Sequence, residues 1–444
     1  MLLQFSVENF LSFREPQTLS MLAADGVEHP AHMVMEGPGG KKVLRCAAIY
    51  GANASGKSNL VKALEFGTNL VLKGTRPGEL MGVRPFKLDP ACKDRPANFQ
   101  WELSIEGKHY SYGFEITAST VVSEWLFSAE QNASLVNFRR ENGRIELDEK
   151  LASTPERSMF LRFVADGTRA NQLFLAEARE RNVTELALIW SVFEAYQCVR
   201  PDRPLAPLVE FFQAHEDFHE FASDLLFSVG TGVNAIRLVE TKDRFPAQLK
   251  ELLDDVSEEG RSAYLHLLNK LWRDNAAGAI HVSENRMSAL FTFHPVPDGT
   301  AQSFLFEEES DGTQRLVQLA PALYLFERTP SGILLAIDEL ERSLHPLLTR
   351  EFLSRFLSSQ SRSQLLFTTH DTNLLDLNLL SRDAIWFTEK DAAGATVLYS
   401  LAEYKSDQIA ALGPQLEKGY LQGRFGAIPF LGDAARLGWK KAAE

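Results

Sequence analysis

Apolar and polar residues alternate from Leu2 to Phe13, the period-two pattern of a half-buried strand. Val43 to Tyr50 is a nearly continuous apolar run ending at Gly51, which predicts a strand buried on both faces and stopped by a glycine loop. From Ser58 to about Leu72 the apolar positions Leu60, Val61, Leu64 and Leu70 recur at helical spacing, so strand, loop and helix follow one another. Alternation returns in Phe99 to Ile105 and Tyr110 to Ile116 around the turn Glu106-Gly107-Lys108, and Glu141-Asn142-Gly143 signals a second hairpin.

Beyond about residue 173 the period changes. Asn182 to Tyr196, Leu205 to Phe227 and Ala247 to Trp272 read as helices, with a strand expected within Gly230 to Glu240. From about 288, strands and helices alternate: Leu334 to Ile337 and Gln364 to Thr368 are apolar runs of buried parallel strands, separated by a helix near Pro346 to Leu357. An α/β nucleotide-binding domain interrupted by a helical insertion is the expected plan.

The 444 residues, 45% hydrophobic and 24% charged, suffice for two or three cores without staples. No run approaches a membrane span, and the first nine residues lack the cationic and apolar blocks of a secretion signal, so a cytoplasmic protein is expected. Three cysteines, Cys46, Cys92 and Cys198, have neither metal-ligand nor C-x-x-C spacing and read as reduced structural thiols. A net charge of −13 argues against a chain that coats nucleic acid, although a local basic patch stays open.

Gly51-Ala52-Asn53-Ala54-Ser55-Gly56-Lys57-Ser58 is a complete phosphate loop between the predicted strand and helix. Main-chain N–H groups of Asn53, Ala54, Ser55 and Gly56 would cradle phosphates at the helix N-terminus. Lys57 would reach the β and γ oxygens, Ser58 would ligate Mg²⁺, and Asn59 completes the binding stretch. The apolar run Ile333 to Ile337 ends in Asp338-Glu339, the Walker B pattern: Asp338 for Mg²⁺, Glu339 to polarise the attacking water. Such an acidic pair also caps helices, and the phosphate loop decides for chemistry.

Ser310-Asp311-Gly312-Thr313-Gln314 precedes a helical run and has the form of an ABC signature, Ser-x-Gly-x-Gln. Ser310, Gly312 and Gln314 would meet a γ-phosphate bound on another protomer, which implies a dimer with two shared sites. His370, after the next strand, holds the switch-histidine position and would report on the γ-phosphate. Arg342 and His345, just after Walker B, are candidates for contacts across the dimer or for ordinary helix-capping surface. No Q-loop glutamine is assigned; Arg84-Pro85-Phe86-Lys87-Leu88 lies where its equivalent falls.

These motifs resemble the ABC-type ATPases of the soluble SMC, RecF and OLD branch, whose first strand is similar to Val7-Glu8-Asn9-Phe10-Leu11-Ser12-Phe13. More narrowly the chain resembles the AAA-type ATPases of abortive-infection loci, the AbiL/RloA-like group, through Glu309 to Arg315, Ile337 to Pro346, Thr368 to Asp376 and Lys418 to Pro429. The resemblance implies an ABC-type P-loop head, a mixed sheet flanked by helices plus an antiparallel β subdomain. Residues 1–172 would form its N-terminal part, 173–287 a mainly helical lid and 288–444 its C-terminal part.

It further implies ATP and Mg²⁺ as cofactors, a homodimer or higher homo-oligomer, and a separate nuclease or toxin effector from the same locus, in anti-phage defence. The alternative is a RecF-like repair ATPase, weakened by the acidic balance. A transporter subunit is disfavoured by the long interval from Gly51 to Ser310. Too little chain follows His370 for a nuclease module of its own. The tail's Gly419, Gly423 and Gly426 among Tyr420, Arg424 and Phe425 suit either a C-terminus pinned to the core or a partner surface using Arg424.

Overall fold

The structure is a computed structural model, and it describes residues 1–130, 133–201, 205, 207–241, 278–283, 286–329, 332–405, 409 and 416–429. The chain folds as two compact units: Glu194–Phe367 with Met1, and Leu2–Phe193 with Thr368–Glu444. One unit is thus discontinuous in sequence, with the other inserted into it.

In the discontinuous unit, seven antiparallel strands form one sheet, in the order Arg144–Leu147, Ala133–Glu141, Val121–Glu130, Lys108–Ile116, Ala97–Ile105, Leu2–Glu8, Gln17–Ser20. Both expected hairpins are present, with Glu106-Gly107 and Asn142-Gly143 at positive φ as two-residue turns demand. One face buries an aromatic cluster in which Phe10, Phe66, Phe99, Trp101 and Phe114 lie about a ring apart.

The same unit holds the fully buried strand Cys46–Gly51, parallel to Ile385–Lys390, which pairs antiparallel with Thr396–Ser400. Helix Lys57–Lys73 follows. Inside the unit the fully buried Glu124 accepts the N–H groups of Phe174 (2.6 Å) and Leu175 (3.0 Å) and the Tyr112 hydroxyl (3.0 Å), so a strand carboxylate caps helix Phe174–Glu180. Arg179 of that helix donates to the carbonyl of Leu72 near the end of Lys57–Lys73.

The continuous unit has three parallel strands with Leu334–Ile337 between Tyr196–Val199 and Gln364–Thr368. Tyr196–Val199 falls where the helical pattern was expected to end, so the insertion supplies a strand as well as helices. Its register, Gln197 opposite Leu335 and Val199 opposite Ile337, is set by pairing across more than a hundred residues. A second sheet has Arg286–Pro295 paired with Ala235–Thr241, Ile280–Ser283 and Ala301–Leu305; its first strand lies in the stretch expected to hold one.

The expected helix from Leu205 to Phe227 is two helices, Leu208–Ala214 and Phe218–Ser228, broken near His215. The helix expected at Ala247 to Trp272 lies outside the described residues. Phe211, Phe218, Leu226, Ile236, Val317 and Tyr324 make the core here, against helix Asp311–Arg328. Among the described residues no helix is long and apolar enough to cross a membrane.

Candidate functional site

In the discontinuous unit, strand Cys46–Gly51 delivers the chain into the loop Ala52 to Gly56, and helix Lys57–Lys73 begins with no side chain capping it. The cap position is Gly56 at φ 119°, and a Cβ there would lie 2.1 Å from Thr396 Oγ1, so only glycine fits. Lys57 is buried, and its Nζ donates to the carbonyls of Gly51 (2.8 Å) and Ala52 (3.2 Å), a cation held inside its own loop. Ser55 Oγ is 2.6 Å from Thr388 Oγ1. Asn53 and Ala54 are exposed at the loop's crest, with Ala54 left-handed at φ 63°, and Ser58 is half-buried.

Asn59, on the first turn, reaches the opening motif. Its Nδ2 donates to Ser12 Oγ (2.8 Å), which is 2.8 Å from Thr396 Oγ1, itself 2.7 Å from the Ser55 carbonyl. A cavity of about 280 Å³ opens here, lined by Leu11, Ser12, Asn59, Arg84, Phe86 and Lys390 among others. The fully buried Asn9 builds its wall: Nδ2 donates to the carbonyls of Cys92 and Arg95 (both 2.8 Å), and Oδ1 accepts the Phe86 N–H. Leu11 N–H bonds the Arg84 carbonyl. The stretch Arg84 to Leu88, expected at the Q-loop position, is thus a cavity wall beside the phosphate-loop helix. Thr396 and Lys390 carried no motif that would have marked them as its neighbours, and Ser12 stood only in the opening strand motif; burial lowers the Lys390 pKa.

His370 is exposed in the same unit, on a loop tied to the phosphate-loop strand. Thr369 N–H donates to the Ile49 carbonyl (3.0 Å), and the Tyr50 hydroxyl reaches the Asp371 carbonyl at 3.4 Å. The structure therefore brings the His370 loop and the strand before Gly51 together.

The remaining motif residues lie in the continuous unit. Asp338 is buried at the end of Leu334–Ile337, its N–H on the Val199 carbonyl (2.8 Å), and Glu339 follows in the left-handed region at φ 53°. In sequence, Arg315 is only the last residue of the stretch Glu309 to Arg315. Here it is 4% exposed, and its Nη2 reaches the carbonyls of Asp338 and Glu339, while Nε and Nη1 find no acceptor. Burial, with Arg342 nearby, pulls its pKa down to about 10.

Ser310 is an exposed N-cap whose Oγ accepts the Thr313 N–H (3.2 Å). Gln314 is directed to its own loop, Nε2 donating to the carbonyls of Glu309 (2.9 Å) and Glu307 (3.2 Å). Gly312 faces the Ser343 carbonyl, which a Cβ would approach to 3.0 Å. Glu309 is gripped from strand Arg286–Pro295 by Thr292 and by His294 Nε2 at 2.7 Å. Of the two candidates for cross-dimer contacts, His345 caps helix Pro346–Ser358 by accepting the Leu347 N–H, and Arg342 is exposed.

These donors suit a nucleotide with Mg²⁺. Among the described residues no group of three or more His, Cys, Asp or Glu could form an all-protein metal cage. Mg²⁺ asks less of a protein: one or two oxygen ligands, the rest from phosphates and water, and Ser58 in one unit and Asp338 in the other each carry an oxygen of that kind.

A family model described as "AAA domain, putative AbiEii toxin, Type IV TA system" matches residues 46–376. No curated protein matches the chain. Among solved structures, an SMC head bound to the C-winged helix domain of ScpA is 12% identical, with TM-score 0.47, over 92% of this chain and 99% of that one. The SMC head domain from Thermotoga maritima is 14% identical, with TM-score 0.38, over 90% and 98%. An SMC head with an extended coiled coil, bound to the C-terminal domain of ScpA from Pyrococcus furiosus, is 12% identical, with TM-score 0.39, over 92% and 98%.

Proposed function

We propose that this chain, which belongs to the AAA-domain family whose model spans its residues 46–376, binds and hydrolyses ATP as a head-to-tail homodimer. The observation that carries the reading is the uncapped start of helix Lys57–Lys73, with Lys57 folded against the carbonyls of Gly51 and Ala52. A helix N-terminus with no side-chain cap, beside a buried ammonium, is a donor set suited to an anion. On phosphate binding, Lys57 exchanges the two carbonyls for β and γ oxygens, and the loop N–H groups of Asn53 to Gly56 close around them.

Ser58 and Asp338 would hold Mg²⁺, which would supply positive charge to the phosphoryl group being transferred. Glu339 takes the proton of the attacking water, and His370 orients that water against the γ-phosphate. The cavity at Ser12, Asn59 and Arg84 takes the base and ribose. Ser310, exposed, and the N–H of the half-buried Gly312, at the start of helix Asp311–Arg328, complete the site of the partner protomer. The family description, with its AbiEii toxin and type IV toxin–antitoxin terms, favours a regulatory ATPase of a prokaryotic anti-phage system that controls a separate effector chain.

The test is equilibrium binding of a fluorescent ATP analogue with Mg²⁺. Lys57→Ala is expected to abolish it, because the loop loses its only lysine; wild-type affinity in that variant would reject the phosphate-loop assignment.

A further inference from the structure

The described tail, residues 416–429, lies beyond residue 376, where the family match stops. It is nevertheless built into the discontinuous unit. From helix Leu416–Leu421, Tyr420 sets its ring edge-on to Tyr50 (centroids 5.9 Å) and stacks on Phe387 (5.6 Å). Phe425 stacks on the same Phe387, and its carbonyl accepts the hydroxyls of Tyr399 (2.7 Å) and Tyr404 (3.2 Å). The Tyr420 hydroxyl donates to the Ala427 carbonyl (3.1 Å), closing the turn on itself, and Ala427 N–H reaches Glu389. Arg424 stays exposed.

Two of these contacts fall on the candidate site. Tyr50 is the residue immediately before Gly51, and its hydroxyl reaches the Asp371 carbonyl. Glu417 accepts the Thr372 hydroxyl at 2.5 Å, two residues past His370. The loop Thr369 to Asn373 is also held by Thr369 N–H on Ile49 and by turns within itself. We infer that Glu417 and Tyr420 are positioning residues: the tail clamps the His370 loop from its far side and fixes its distance from the phosphate-loop strand.

The consequence for hydrolysis rests on the ATPase reading, whereas the clamp itself can be measured without nucleotide. Two variants of the full chain, Glu417→Ala and Thr372→Val, are compared with Thr372→Ser, which keeps the hydroxyl, and with Arg424→Ala as an exposed control on the same segment. Amide hydrogen exchange of peptides covering 369–374 should quicken roughly 3–10-fold in the first two variants, the scale of one hydrogen bond. It should stay at the wild-type rate in Thr372→Ser and Arg424→Ala.

With Mg-ATP, kcat should fall by a similar roughly 3–10-fold in Glu417→Ala and Thr372→Val, with KM and the denaturation midpoint unchanged. Combining the two should cost no more than either alone, because both remove one bond. Unchanged exchange in the His370 loop would overturn the clamp. Losses that multiply in the double variant, or a kcat loss matched by a general fall in the denaturation midpoint, would reduce the tail to a structural pin. The exchange effect in the variants, beside wild-type protein that never hydrolyses ATP, would refute the ATPase reading and leave the clamp standing.

Discussion

The guanidinium of Arg315 donates to the main-chain carbonyl of Glu339 at 3.1 Å, and to that of Asp338 at 3.4 Å. The first turns of helix Asp311–Arg328 therefore grip the backbone bearing the paired carboxylates. Glu339 needs such a grip, since its left-handed φ costs a non-glycine residue about 1–2 kcal/mol. Arg315→Met removes a buried charge whose desolvation offset much of what its bonds contributed, so the melting temperature should change little. Hydrolysis should fall roughly tenfold or more as the carboxylate loses its pose. Steady-state turnover equal to wild type would show that Glu339 holds its position unaided.

Glu339→Gln keeps shape and length but cannot take a proton. It should bind ATP normally, turn over about 10²-fold more slowly, and accumulate closed dimer in size-exclusion chromatography with ATP. Undiminished turnover would move the proton acceptor elsewhere.

Site sharing can be tested with mixed dimers, and the structure guides the choice of variant. Gly312→Asp would crowd the Ser343 carbonyl of its own chain, so its effect could not be assigned to the partner's site. Ser310→Ala is cleaner, because the local bonds of its hydroxyl both go to Thr313, a cap bond to the N–H worth about 1 kcal/mol and a contact with Oγ1 at 2.9 Å. Lys57→Ala and Ser310→Ala chains should each be nearly inactive alone and recover part of the activity when mixed. A Ser310→Ala homodimer with full activity would defeat the signature reading.

Glu124 links stability to pH. Burial raises its folded-state pKa above the unfolded value of about 4.3, so the native chain holds this proton more readily. That contribution is complete below the unfolded pKa and is lost as pH rises through the folded one. Glu124→Gln lacks it, so its urea midpoint should gain on wild type between pH 5 and pH 8. A gap constant with pH would mean that Glu124 titrates alike in both states.

Legibility in the sequence followed locality. The phosphate loop, its strand and its helix are encoded within about thirty consecutive residues, and the two hairpins within their own turns, so pattern alone located them. Asn9 read only as part of an opening motif, because its partners Phe86, Cys92 and Arg95 are brought to it by the fold. Tyr196 read as the last residue of a helix, since the four residues Tyr196–Val199 carry too little pattern to announce a strand that pairs with Leu334–Ile337. The tail's aromatics promised either a pin or a partner surface. Tyr420 and Phe425 are buried on Phe387, and only that packing distinguishes them from the exposed Arg424.

The interrupted unit has a consequence for synthesis. The Thr388 hydroxyl bonds the Tyr50 carbonyl across 338 residues of sequence, where Ile385–Lys390 pairs with the strand leading into the phosphate loop. At elongation rates of about 5–20 residues per second that strand waits roughly 17–70 s on the ribosome before this neighbour exists. The inserted unit, continuous in sequence, can meanwhile complete its own pairings. Each nascent chain thus carries an unpartnered apolar edge at Cys46–Gly51 for most of its translation, a liability that a trigger-type holdase would relieve and that heterologous expression at high rates would expose as aggregation.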